Sequence, residues 1–239
     1  MKKILSAMQK AVYDYQMIAK DDRIAVGVSG GKDSLLLLKA MVKLQKFFQI
    51  PFSLVAIHIN MGFKDLDTNE LSSFSDCIRG EGVELITEET KLAEIIFNVR
   101  KEKNPCSLCA NIRRGALNNS AKKHGCNKIA LGHHSDDAIE TFLLSLLYES
   151  RISTFKPVSY LDRTEITLIR PLIYVSEKKI IAASKGLPVI NNPCPANKCT
   201  RRQYMKELID KLDSDIPGSR EKIFNAIAHP ERNSLWEKH

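Results

Sequence analysis

The chain has 239 residues, 44% of them hydrophobic and 27% charged, with 11 glycines and 9 prolines. This apolar content excludes a disordered chain and the low glycine and proline exclude collagen-like or low-complexity architecture, while the length suits one α/β domain with a small appendage. The net charge of +8 is compatible with a polyanionic partner such as nucleic acid or nucleotide, though charge alone selects none.

No stretch of about 18 residues is free of charge, so no membrane span is expected. The start lacks the apolar core and cleavage site of a signal peptide, which predicts a cytoplasmic protein. Six cysteines in such a chain imply a reducing compartment, and disulfides are the weaker reading.

The first 20 residues read as an amphipathic helix with Ile4, Met8, Val12, Tyr15 and Ala19 on one face. Ile24–Val28 is an apolar run of strand length, followed by the loop Ser29–Ser34 and a helix over Leu35–Phe48. A second strand, Phe52–Ile59, ends at Asn60-Met61-Gly62; a helix spans 66–80 and a third strand Val83–Thr87. Helix Ser107–His124 precedes strand Lys128–Leu131, and Asp136–Tyr148 is again helical. Ile166–Leu172 reads as a strand, Ser176–Lys185 as a helix and Leu187–Ile190 as a short extended piece. Strands alternating with helices predict a doubly wound, mostly parallel α/β sheet with ligands at the carboxyl ends of its strands. The core domain is therefore drawn over 1–190, with 1–20 as its N-terminal helix. A basic extension, 191–239, carries Cys194 and helices over Arg201–Leu212 and around Arg220–Ala228.

The loop Ser29-Gly30-Gly31-Lys32-Asp33-Ser34 joins a buried-type strand to a helix. Adjacent glycines allow a tight turn with close-approaching N–H groups, two serines add hydroxyls and Lys32 a point charge. The helix behind points its positive end at the same place, so the whole suits a phosphate. Val26 and Asp33 rule out a Walker A loop. In Leu131-Gly-His-His-Ser-Asp-Asp137, Asp136 and Asp137 open a helix, where carboxylates cap the end and can hold Mg²⁺.

Cys106 and Cys109 form a C-x-x-C at a helix start, Cys194 and Cys199 a second cluster, and Cys77 and Cys126 read as core residues. From the residues alone a redox dithiol, a four-ligand zinc site or three thiolates on an iron–sulfur cluster all remain open.

Taken together these motifs carry a resemblance. Ser-Gly-Gly-Lys-Asp-Ser after the first strand resembles the signature of the PP-loop ATP pyrophosphatases, and the 131–137 segment is similar to the G-H-[HN]-x-D-D stretch of their tRNA-thiolating members. Cys-Ser-Leu-Cys followed by Arg113-Arg114-Gly115, with Pro193-Cys194 later, is similar to the tRNA 2-thiocytidine synthetases, from about residue 20 to 215. The resemblance implies a Rossmann-like, adenine-nucleotide alpha-hydrolase-type fold and ATP cleavage between the α and β phosphates. It implies ATP phosphates on Ser29, Gly30, Gly31, Lys32, Asp33 and Ser34, with adenine near Ile57, His58 and Gly132. Mg²⁺ falls to Asp33, Asp136 or Asp137 and charge neutralisation to Lys32 and Arg113. A [4Fe–4S] cluster falls on Cys106, Cys109 and Cys194, leaving Cys199 as substitute or bystander. The implied reaction adenylylates the C2 oxygen of an anticodon-loop cytidine and replaces it with sulfur, supplied by a cysteine desulfurase or free sulfide. By analogy with the family, a second copy of the chain is a further partner.

Arg100, Lys101, Lys103, Arg113, Arg114, Lys122 and Lys123 near the C-x-x-C, and Lys198, Arg201, Arg202 and Lys206 near Cys194, are candidates for RNA phosphates, with Lys206 the chosen test. A lysidine-forming or amidotransferase-type AMP-forming enzyme would leave the cysteines unexplained. The 5-methyluridine thiolase branch would need cysteine pairs at both ends of the chain, and a non-enzymatic metal-containing RNA-binding protein would leave loop 29–34 without a purpose.

Overall fold

Alternation along the central strands builds two buried faces from one sheet. In β1 (Asp22–Gly27) Ile24 and Val26 enter one apolar layer and Ala25 the other; in β2 (Phe52–Asn60) Ala56 and the pair Val55 and Ile57 divide in the same way. The computed structural model describes residues 1–63, 67–99, 105–191, 194, 201–232 and 234–235, with the side chains of 98, 99, 106 and 107 outside the description.

The first layer holds α1 (Lys2–Asp14) and α2 (Lys32–Gln45), whose Leu35–Leu38 run is wholly buried. It also takes Phe74 and Ile78 of α3 (Thr68–Gly80) and Ile180 of α6 (Glu177–Ala183). The second layer is α4 (Pro105–Lys123), with a π-helical turn at Glu94–Val99 before it. The remaining strands are β3 (Glu84–Glu89), β4 (Lys128–Ala130), β5 (Val158–Leu161) and β6 (Ile166–Ile169). Their order is β3-β2-β1-β4-β6-β5, parallel throughout except that β5 pairs antiparallel with β6. The chain moves outward from β1 through β2 to β3 and then returns to place β4 on the other side of β1. The β1/β4 boundary is therefore the switch point, where the loops leave the sheet in opposite directions.

The expected doubly wound, mostly parallel α/β fold is found, with three local differences. The first helix stops at Asp14, because Gln16 turns to φ +47° and lets Met17 and Ile18 enter the core out of helical phase. The strand expected over Ile166–Leu172 stops at Ile169, just before Pro171 opens a turn. The edge strand β5 went unread because a four-residue run with a glycine-free turn, closed by Glu165 at φ +57°, carries little periodicity.

The C-terminal helices α7 (Arg201–Asp215) and α8 (Ser219–Ala228) pack on α5 (Ser135–Glu149), burying Met205 and Ile209 against Ile139 and Leu143. Among the described residues no helix is long and apolar enough to cross a membrane.

Candidate active site

The loop between β1 and α2 is stitched by its own serines. Ser34 Oγ accepts the Ser29 N–H at 3.1 Å and donates to the Gly31 carbonyl at 2.9 Å. Gly30 sits at φ +86°, the left-handed region that suits glycine. Gly31 caps α2 with no side-chain acceptor, so the first-turn N–H groups of this 14-residue helix are left for an anion. Lys32 Nζ lies 2.9 Å from Asp33 and 3.6 Å from Glu177, so its charge is held beside the loop by two carboxylates.

The loop after β4 comes up against this cradle. A Cβ on Gly132 would lie 3.1 Å from the Asp33 carbonyl carbon and 3.2 Å from the Ser34 nitrogen, so any larger residue would force the loop backbone to give by a few tenths of an ångström. His134 then caps α5: its N–H donates to Asp137 Oδ2 at 3.0 Å and its ring accepts the Asp137 N–H.

The two aspartates, grouped in the sequence as metal-holding carboxylates, face different ways. Asp137 lines the cavity and meets Arg202 at 3.0 Å. Asp136, 3% exposed, is absent from the cavity wall; it accepts Ser135 Oγ and the Glu177 N–H at 2.8 Å and pairs with Arg220 of α8. Burial pushes its pKa up, but the Glu177 N–H, Arg220 and Ser135 outweigh that and hold it below the usual carboxylate range. Its oxygens anchor α6 and α8 to α5.

One cavity of about 630 Å³ opens at the switch point. Its wall includes Ser29, Asp33 and Ser34 of the loop, Ile57 and His58 of β2, and Gly132 and Asp137. Cys109 and Arg113 from α4, and Cys194 from the C-terminal segment, line the same space. Gly30, Gly31 and Lys32 are not among the lining residues. Cys106 lies one turn before Cys109 on α4, with its side chain outside the described atoms, and Cys199 is outside the described residues altogether. Among the described residues no three His, Cys, Asp or Glu side chains form a metal-binding group.

Two anchors hold the segment that bears Cys194. Before it, Ile190 N–H donates to the Gly30 carbonyl at 3.0 Å, and both Asn191 donors bond the Glu70 carboxylate of α3. After it, Arg202 reaches Asp137, Glu140 at 3.5 Å and Thr141 at 3.3 Å on α5. Burial, only partly offset by Arg202, pushes the Glu140 carboxyl up to about 7.

Of the basic candidates, Arg113, Arg114 and Arg202 line the cavity. Lys206 is not part of the lining and pairs with Glu177 at 2.7 Å. Lys122 pairs with Glu165 at 3.0 Å and Arg201 stacks over Tyr148. Arg100, Lys101, Lys103 and Lys198 lie outside the described residues. Sequence reasoning missed Glu70, Asn191 and Glu177, which belong to no motif and work only through long-range contacts. It also gave no separate role to His133, which lines the cavity.

A parallel sheet with a Gly-Ser loop at its switch point, a helix N-terminus behind it and a second glycine pressed against it defines a nucleotide-binding α/β domain of the PP-loop class. Residues 2–211 match the PP-loop domain family. Over 242 residues the chain is 39% identical to a tRNA-cytidine(32) 2-sulfurtransferase of Pelobacter propionicus, covering 99% of this chain and 89% of the relative. A protein of the same name from Geobacter sulfurreducens is 36% identical, covering 99% and 93%. The chain belongs to the tRNA-cytidine 2-sulfurtransferase family of PP-loop proteins. Its fold is shared by the U34-tRNA thiolase NcsA from Methanococcus maripaludis, a structure described with its [4Fe–4S] cluster, at TM-score 0.77 and 23% identity over 99% of this chain and 80% of that one. An NMN synthetase from Francisella tularensis shares the fold more distantly, at TM-score 0.52 and 15% identity over 99% and 96%.

Proposed function

We propose that the chain thiolates C2 of cytidine 32 in the anticodon loop of a tRNA, in an ATP-dependent, AMP-forming reaction in the cytoplasm. One observation carries the reading: thiols from two distant stretches, Cys109 and Cys194, line the same cavity as the phosphate loop. A nucleotide site alone would leave those thiols without a purpose, and a structural metal site would not need to open onto the loop.

The α2 N-terminus and the hydroxyls of Ser29 and Ser34 would bind the β and γ phosphates, with adenine against Ile57, His58 and Gly132. Asp33 and Asp137 are the carboxylates on the cavity wall and would hold Mg²⁺; Asp136 keeps its anchoring role. The cytidine O2 attacks the α phosphorus, the new P–O bond forms, and pyrophosphate leaves with the bridging oxygen's electron pair. Arg113, together with Lys32 once drawn from Glu177, neutralises the charge that builds there. Met61 and Phe63 give one wall an apolar surface suited to a flat base and to keeping water away. A sulfur nucleophile then displaces AMP at C2.

The donor set fits an iron–sulfur group: Cys109 and Cys194 are half-buried and line the same cavity, and Cys106 would supply a third ligand. When bound, a [4Fe–4S] cluster supplies an iron with one open coordination position, the chemistry by which sulfur reaches the base. Arg114 and Arg202 line the cavity and would take RNA phosphates. The test is anaerobic incubation of the iron-loaded protein with ATP, sulfide and unmodified tRNA, followed by nucleoside analysis. 2-Thiocytidine with stoichiometric AMP and pyrophosphate is expected; AMP with an amine in place of sulfur, or no AMP with any tRNA, would overturn the reading.

A further inference from the structure

Two imidazoles line the cavity, and their partners fix them in opposite tautomers. His58 Nδ1 lies 2.8 Å from the Val28 carbonyl, which can only accept, so that ring carries its proton on Nδ1 and leaves a lone pair on Nε2. At His133, Nδ1 lies 3.3 Å from Nε of Arg170. A guanidinium has only protons to give, so His133 Nδ1 accepts and the ring's proton sits on Nε2. A doubly protonated ring could not accept that bond, and burial pushes the His133 pKa down to about 4, so the ring is neutral.

This arrangement is built, not incidental. Arg170 is 7% exposed and pairs with no carboxylate among the described residues. It donates to the Lys156 carbonyl at 2.6 Å and to Ser159, and its guanidinium sits 4.9 Å from the Phe155 ring centre. His133 packs on the same ring at 5.0 Å. A buried arginine placed to hold an imidazole in one tautomer leaves His133 Nε2–H with no protein acceptor among the described residues, on the wall of the cavity. Its neighbour Gly132 is pressed against Asp33 and Ser34, and His133 lines the same cavity as Ser29, Asp33 and Ser34 of the phosphate loop.

We infer that His133 is a catalytic residue whose neutral Nε2–H donates to an α-phosphoryl oxygen of bound ATP, with Arg170 as the positioning residue behind it. The inference rests on the AMP-forming reading above and adds a group to it. Phosphoryl oxygens only accept, and a fixed neutral donor stabilises the charge that grows on them during attack while keeping its own proton.

The experiment has two arms. The first is single-turnover pyrophosphate release from ATP and unmodified tRNA without any sulfur source, for wild type, His133→Ala and His133→Gln, with the Kd for a non-hydrolysable ATP analogue. Removing one such donor lowers the rate by about 10², with analogue affinity changed far less, and the glutamine amide recovers part of the loss. The second is ¹⁵N NMR of the histidine rings in wild type and Arg170→Met. Wild-type His133 shows protonated Nε2 and bare Nδ1, and Arg170→Met shows a mixture. A proton on Nδ1, an unchanged tautomer in Arg170→Met, or an alanine variant as fast as an active wild type would each overturn the inference. A wild type that releases no pyrophosphate with any tRNA would instead sink the functional reading and take this role with it.

Discussion

The main-chain N–H of Ile190 donates to the carbonyl of Gly30 across 3.0 Å, joining the phosphate loop to the segment that carries Cys194. The contact is as close in side chains as in backbone: a Cβ on Gly30 would meet the Ile190 side chain at 3.0 Å. The position of Cys194 over the cavity is thus referred directly to the loop that would hold ATP. Under the proposed reaction, sulfur must reach a base activated by the same nucleotide, which needs that registration, because a misplacement of about 1 Å in such a site costs rate heavily.

Gly30→Ala should therefore damage two properties together. Alanine at φ +86° is strained by roughly 1–2 kcal/mol, and its methyl pushes Ile190 away. Calorimetric titration with an ATP analogue and iron content after anaerobic reconstitution should both fall. Gly186→Ala is the control: its φ is +79° with nothing within 4 Å, so it carries the strain without the contact. Loss in both variants alike would show that general destabilisation, not the joint, is responsible.

At the opposite end of β1, Asp22 is 3% exposed and accepts from Lys128 at 2.7 Å, Asn127 at 2.7 Å and the Ala19 N–H at 2.6 Å. Asp22→Ala strands a nearly buried lysine and should cost about 3–5 kcal/mol, read by urea unfolding. ATP-analogue affinity, measured in the cold where the variant stays folded, should be close to wild type.

Glu140 makes stability depend on pH. Its carboxyl titrates near 4.5 when unfolded and, through burial, near 7 when folded. The folded chain then holds the extra proton, so this contribution is full below about pH 4.5, falls as pH rises, and is gone above about 7. The ceiling is about 3 kcal/mol, since the side chain is only 7% exposed. Glu140→Gln should flatten the fall in unfolding free energy between pH 5 and 7, and an unchanged slope in the glutamine variant would show that another group carries it.

The sheet was legible because Ile24–Val28 and Phe52–Ile59 are apolar runs broken by turn residues, and because the loop between them needs glycine, serine and lysine in one short stretch. The cavity was legible for the same reason: motif residues with ligand chemistry sit at strand ends. What could not be read was orientation. Asp136 and Asp137 are adjacent in a helix, so about 100° of rotation separates them, and only the arrival of α6 and α8 decides which one is consumed as an anchor. Lys206 likewise looked available until Glu177, 29 residues earlier, claimed it. Glu70 and Asn191, 121 residues apart, have no signature beyond being polar.

That last pair yields a sharp test of how the Cys194 segment is held. The Glu70 carboxylate accepts both the backbone and the side-chain N–H of Asn191, three residues before Cys194. Glu70→Ala removes both bonds at one end of the segment, while Arg202 on Asp137 still holds the other. The loop keeps its own serine stitching, so ATP-analogue affinity should stay within about twofold, two exposed hydrogen bonds being worth only about 1 kcal/mol each to the fold. Iron held by Cys194 should become easier to extract: a ferrous chelator added anaerobically should bleach the reconstituted protein several times faster than wild type. Equal bleaching rates would mean that the Ile190–Gly30 bond and the Arg202 side position the segment without Glu70, whereas a parallel loss of nucleotide affinity would mean that the α3 anchor supports the loop as well.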